Sequence, residues 1–176
     1  MLSAACAPSQ TFRPAASPTS DRPQEAGAAV SVVGARPYVI ESSRAVGQLW
    51  FASRLGNHWS IAGIGSFDDE AVLAGAALRW DALRSDRFAG GIEAEAGFLY
   101  ASMSVPLALR LWQEVWLYSN PRLGNWGPEL SGFVPVGLSA ELYRGVFLRA
   151  EAQYSWEDFK YYNRRRHLGI AVGYRW

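Results

Sequence analysis

Reading backward from the C-terminus, Trp176, Tyr174, Val172, Ile170 and Leu168 are large and apolar, while Arg175, Gly173, Ala171 and Gly169 stand between them. Strict alternation at period two marks a β-strand whose two faces meet different surroundings. The pattern recurs upstream. Over 146–156, Val146, Leu148, Ala150, Ala152, Tyr154 and Trp156 alternate with Phe147, Arg149, Glu151, Gln153 and Ser155. Over 88–100 the apolar face is Phe88, Ile92, Ala94, Ala96, Phe98 and Tyr100. Segments 133–143, 105–112, 72–82 and 45–55 behave alike. Segments 58–67 and 115–123 read as strands in which either face could be the apolar one.

Two kinds of connection separate these runs. Short polar turns fall at Gly56-Asn57, Ser85-Asp86, Gln113-Glu114 and Arg144-Gly145. Longer ones fall at Phe67–Glu70, Ala101–Ser104, Ser119–Pro128 and Glu157–Arg166. Short and long alternate, as in an up-and-down antiparallel barrel with tight turns on one rim and loops on the other. Nine strands count back to residue 44. Ala28–Ile40, followed by a turn at Glu41–Arg44, supplies a tenth. Ten strands over 28–176 leave roughly 15 residues each with connections, enough for the 9–11 that cross a bilayer. Eight strands is the alternative if one hairpin has been divided in error.

Alternation alone also permits a soluble lipocalin-like barrel, with large apolar side chains inside. Two features favour the inverted arrangement. The second face is mostly Gly, Ala, Ser and Pro, with scattered charges of both signs: Arg54, Arg79, Asp81, Glu93, Glu95, Arg110, Glu141, Arg149 and Glu151. Small residues suit a narrow lumen, and paired charges are how a lumen tolerates ions. In addition, Trp59, Trp80, Phe88, Tyr100, Tyr154, Trp156, Tyr174 and Trp176 gather near strand ends. That is where aromatic girdles meet the membrane interfaces.

The stretch Leu168–Trp176 resembles the terminal strand of bacterial outer-membrane β-barrels, which ends on an aromatic residue with apolar residues at alternate positions before it. The resemblance implies that Leu168, Ile170, Val172, Tyr174 and Trp176 form the signal read by the barrel-assembly machinery. It also implies a place in the outer membrane among its lipid and lipopolysaccharide, with Trp176 on the periplasmic side. Other envelope proteins are candidate partners. Met1–Cys6 resembles the end of a bacterial lipoprotein signal, although Ser3 stands where that family usually has Leu. This implies lipidation at Cys6; the alternative is an ordinary cysteine in a terminal segment. Residues 1–27, rich in Pro, Ser, Ala and Thr after Cys6, read as a signal-like remnant and disordered linker. The barrel then occupies 28–176.

Composition sharpens this picture. The chain is 49% hydrophobic and 14% aromatic, yet only 19% charged. No apolar run approaches the about 20 residues of a membrane-spanning helix. A net charge of +1 gives no case for nucleic acid. A single cysteine excludes an internal disulfide framework and a cysteine zinc site. No metal or nucleotide motif is present, and no cofactor is expected. The two histidines, His58 and His167, fall near opposite rims and form no dyad with each other. His167 with Ser155 or Ser119 is a conceivable hydrolase pair, but no spacing supports it. Glu93 and Glu95 share one face and read as structural salt-bridge partners rather than an acid–base pair. Lys160, Arg164, Arg165 and Arg166 form the one concentrated basic element, suited to lipopolysaccharide phosphates if the loop is extracellular. The expected role is structural, anchoring or partner-binding, with a lumen closed by side chains. A narrow solute pore is the alternative, and a surface lipid hydrolase is weaker.

Overall fold

The computed structural model describes residues 12–176 except 14, 16–17, 35–42, 69–71, 99, 127–128 and 158–163, with backbone alone at 126, 129, 157 and 164. Ten antiparallel strands close into a barrel. These are β1 (Gln24–Val33), β2 (Arg44–Leu55), β3 (Trp59–Phe67), β4 (Val72–Arg84) and β5 (Phe88–Gly97). Next come β6 (Tyr100–Ser104 and Leu107–Trp112) and β7 (Val115–Ser119 and Arg122–Trp126). The last are β8 (Glu129–Tyr143), β9 (Val146–Glu157) and β10 (Arg164–Arg175). Each strand pairs with its sequence neighbours. Closure comes from β1 and β10, in register from Glu25↔Arg175 to Val33↔His167. No free sheet edge remains, as a bilayer demands of a spanning sheet.

The interruptions in β6 and β7 have one cause. Val105-Pro106 and Asn120-Pro121 lie side by side, and proline offers no N–H to the ladder. The register survives the gap, because Ser104↔Arg122 and Leu107↔Ser119 fall on the same diagonal. The sequence expectation of loops at Ala101–Ser104 and within Ser119–Pro128 is therefore corrected. Both stretches are mainly strand, with Tyr100–Ser104 paired to Arg122–Trp126. The tight turns at Gly56-Asn57, Ser85-Asp86, Gln113-Glu114 and Arg144-Gly145 fall where expected. At Arg144-Gly145 both residues have positive φ (42° and 94°), the requirement of a two-residue hairpin turn that matches strand twist. The first strand starts earlier than expected, at Gln24 rather than residue 28.

The wall is inside out relative to a soluble protein. Leu49, Leu78, Ile92, Met103, Leu138, Leu148, Ile170 and Val172 are exposed, while Arg79, Glu93, Glu95, Arg149 and Glu151 are buried. Leu168 is 65% exposed and Arg149 is 0%. An apolar band around the whole circumference cannot face water at this scale and must face lipid. Short turns then mark the periplasmic rim and the longer connections the outer rim.

Candidate functional site

The lumen is where chemistry-bearing side chains converge, and it is not empty. The chain enters it from the periplasmic rim before β1 begins. Thr19 N–H bonds to the Arg22 carbonyl at 3.1 Å, and Arg84 Nη2 donates to the Pro18 carbonyl at 2.6 Å. A hydrogen bond from Thr19 holds the Asp21 carboxyl below its usual range. Further in, Ala15 packs on Ala89, Ala108 and Tyr118, and Phe12 reaches mid-depth. Phe12, Arg13 and Ala15 are all buried. These described residues of the leader are thus internal packing, not free linker.

Around Phe12 a layer of rings and charges packs inside the lumen. Its ring stacks on Trp50 with centroids 6.2 Å apart, and Trp50 meets Phe147 at 6.4 Å. The Arg149 guanidinium lies 3.8 Å from the Phe147 ring centre. It grips both oxygens of Glu25 at 2.7 Å, a bidentate pair. Glu25 also accepts from Trp50 Nε1 at 2.9 Å and Arg175 Nε at 3.1 Å. Five of these groups, Glu25, Trp50, Phe147, Arg149 and Arg175, come from β1, β2, β9 and β10, so the layer crosses the closure seam of the barrel.

A second network flanks the first. Glu93 binds Arg13 at 2.9 Å and Arg79 at 2.8 Å. Glu95 accepts from Tyr100 OH at 2.9 Å, with Arg13 at 3.4 Å and Arg122 at 3.7 Å. At the periplasmic rim Glu141 joins Arg22 and, at 3.4 Å, Arg175. Asp81 joins Arg84 at 3.0 Å and Arg54 at 3.7 Å. Opposite charges this deep hold their geometry only when each oxygen and N–H is used, as most are here.

Of the nine charges expected in the lumen, Arg54, Arg79, Asp81, Glu93, Glu95, Glu141, Arg149 and Glu151 lie inside. Arg110 has the inward parity but is exposed at the periplasmic rim, where its guanidinium sits 4.9 Å over Trp116. Tyr100 is a correction: expected on the lipid face, it is 5% exposed and faces the lumen. A turn at Phe98 resets the alternation, so Tyr100 opens a new strand with Ala101 and Met103 outward. Trp59, Trp80, Phe88, Tyr174 and Trp176 are exposed on the wall, and Tyr154 and Trp156 partly so.

Arg165 is also corrected. The strand begins at Arg164 instead of after Arg166, which turns Arg165 inward, 7% exposed, while Arg166 faces outward. Cys6, Lys160 and the Arg164 side chain lie outside the described residues. Leu168, Ile170, Val172, Tyr174 and Trp176 all face outward. Ser155 Oγ and His167 Nε2 meet at 2.9 Å within the lumen, on paired strands β9 and β10. Ser119 instead donates to the Pro135 carbonyl at 2.6 Å.

Sequence reasoning missed Arg13, Glu25, Arg122 and Arg175. Arg175 stood on the small-residue face and was open to the same parity argument. Arg122 was hidden by the Pro121 break, and Arg13 and Glu25 by the low apolar contrast of the leader.

A sheet closed on itself, apolar outside and ionic inside, is built to stand in a membrane. This is the fold of a bacterial outer-membrane β-barrel. Among solved structures, the translocator domain of autotransporter NalP from Neisseria meningitidis matches with a TM-score of 0.53 and 12% identity, over 88% of each chain. Ail, the attachment invasion locus protein of Yersinia pestis, matches at 0.41 and 16% identity, over 88% of this chain and 97% of that one. The KdgM porin matches at 0.46 and 9% identity, over 85% and 99%. No family model and no curated protein sequence matches the chain.

Proposed function

We propose that this outer-membrane barrel is a closed, non-conducting anchor with a structural or partner-binding role. One observation carries the reading: Phe12 stands buried inside the lumen against Trp50, which meets Phe147, and Arg149 and Glu25 pin the cluster. A water-filled channel lines its lumen with solvated polar groups; here buried aromatic rings take up that space. The outward row Leu168, Ile170, Val172, Tyr174 and Trp176 suits the assembly signal, and outward Arg166 at the outer rim suits a lipopolysaccharide phosphate. The reading is also non-enzymatic. The Ser155–His167 pair opens on the lumen rather than on lipid, and His167 Nδ1 has no acid to orient the ring among the described residues.

Planar-bilayer recording of the full chain tests closure. The expected trace is flat for the wild type, with steady channels appearing in the Phe12→Gly/Arg13→Gly variant. Steady conductance from the wild type would replace the anchor with the narrow pore.

A further inference from the structure

The lipid-facing wall is not evenly convex. On β9 the outward positions Ala150 and Ala152 are small, and both stand between larger partners. Ala152 pairs with Val136 and Leu168, and Ala150 with Leu138 and Ile170. Alanine at two successive outward positions drops the surface of β9 below that of β8 and β10. The result is an apolar groove of about 770 Å³ along the wall. Its four flanking side chains are 48% to 65% exposed, so it stands open to the membrane.

The groove has a charged end. The outward position next above Leu168 is Arg166, exposed at the outer rim. Its backbone is held in the ladder between Tyr154 on one side and Gly34 on the other, whose N–H donates to the Arg166 carbonyl at 2.8 Å. The Arg166 guanidinium has no ion pair or hydrogen bond among the described residues. Arg54, Arg79, Arg149 and Arg175, by contrast, are all engaged by carboxylates. From Arg166 to Ile170 is about 13 Å along the strand, or about 10 Å of depth at the usual tilt. Groove and cation therefore fit within one leaflet, about 15 Å of hydrocarbon. At that height an arginine lays its stem on apolar surface and carries its head to the level of the phosphates.

We propose that the groove on β8, β9 and β10 seats one acyl chain of a lipid A molecule in the outer leaflet, while Arg166 holds a phosphate of the same molecule. Charge selects the occupant, because a guanidinium fork matches phosphate oxygens and the chain below it covers the alanine floor. A two-fold dimer on this face would instead set Arg166 beside its own copy, like charge against like. A second groove, of about 800 Å³, is floored by Ala94, Ala96 and Ala101 but has Asn125 in place of a cation toward its outer end. It serves as the internal control. The inference rests on the outer-rim phosphate contact proposed above and adds the acyl groove to it; lumen closure does not enter.

Native mass spectrometry of the full chain released from micelles tests this, with lipid A and phosphatidylglycerol as competing probes. Heat-modifiable migration first verifies that each variant is folded, and Ala150→Leu replaces Ala152→Leu if the latter is not. The wild type should retain one lipid A in preference to phosphatidylglycerol. Arg166→Gln should weaken that retention about tenfold, the worth of a charge-assisted hydrogen bond, and Arg166→Lys should restore part of it. Ala152→Leu, which fills the floor and leaves the charge, should also weaken it, whereas Ala96→Leu in the second groove should not. Loss with Arg166→Gln but not with Ala152→Leu would leave the phosphate contact standing and overturn the groove. Equal retention of phosphatidylglycerol, indifference to both substitutions, equal loss with Ala96→Leu, or dimers that Ala152→Leu disperses would overturn the proposal as a whole.

Discussion

Arg149→Met removes the keystone of the lumen. The side chain is 0% exposed and its partner Glu25 is 1% exposed, with two contacts of 2.7 Å between them. Methionine keeps much of the volume and the packing on Phe147, so the loss is mainly electrostatic. Glu25 retains Arg175 at 3.1 Å and Trp50 at 2.9 Å, but two of its strongest donors become one. Removing one partner of a buried pair typically costs about 3–5 kcal/mol, because the other charge stays buried. At about 1.4 kcal/mol per tenfold, the folded-to-unfolded ratio should drop by between two and four orders of magnitude. Reversible guanidinium unfolding in lipid vesicles, followed by tryptophan fluorescence, measures this. The double variant Glu25→Leu/Arg149→Met should lose less than the sum of the single changes. A single-variant loss below about 1 kcal/mol, in the range of an exposed pair, would refute the view that this ion pair is a desolvated structural element.

Three further outcomes follow from the same geometry. Tyr100→Phe removes the 2.9 Å donor to Glu95 and should cost about 1.5–3 kcal/mol in that titration, whereas a girdle tyrosine on the lipid face would lose far less. Leu138→Arg places a charge at mid-height on the wall, where Leu138 is 48% exposed to lipid, and should cost about 2–4 kcal/mol. Gly27→Ala sets a methyl 2.2 Å from the Trp50 ring, forcing the indole off its bond to Glu25; a loss of about 1–3 kcal/mol and blue-shifted or red-shifted Trp emission are expected, and unchanged emission counts against the contact.

The wall was largely legible in the sequence because alternation survives wherever strands run uninterrupted. From Leu168 to Arg175 every outward position is large and every inward one small or charged, and this stretch needs nothing else to declare its faces. Legibility failed where the chain breaks phase. Tyr100 is aromatic and two residues past Phe98, so it continues the apolar pattern on paper, but the turn between them reverses its face. Pro121 lies within an expected loop and Pro106 just after another, yet the two prolines sit side by side on neighbouring strands and interrupt the ladder without ending it. Ala26, Gly27, Ala28 and Ala29 give no contrast between faces, which concealed the start of β1 and with it Glu25. The lumen was legible only in part, as a list of charges. Which carboxylate meets which arginine depends on the shear of the barrel, and the burial of Phe12 and Arg13 depends on an interior that exists only after closure.

The central claim is that the large apolar face of each strand meets lipid and the polar face meets a filled lumen. Spin labels placed singly at 167–172 in a Cys6→Ala background, with the protein in bilayers, test it most directly. Accessibility to oxygen, which concentrates in the acyl region, should peak at 168, 170 and 172 and fall at 167, 169 and 171. Peaks at the odd positions, or no alternation at all, would contradict the account.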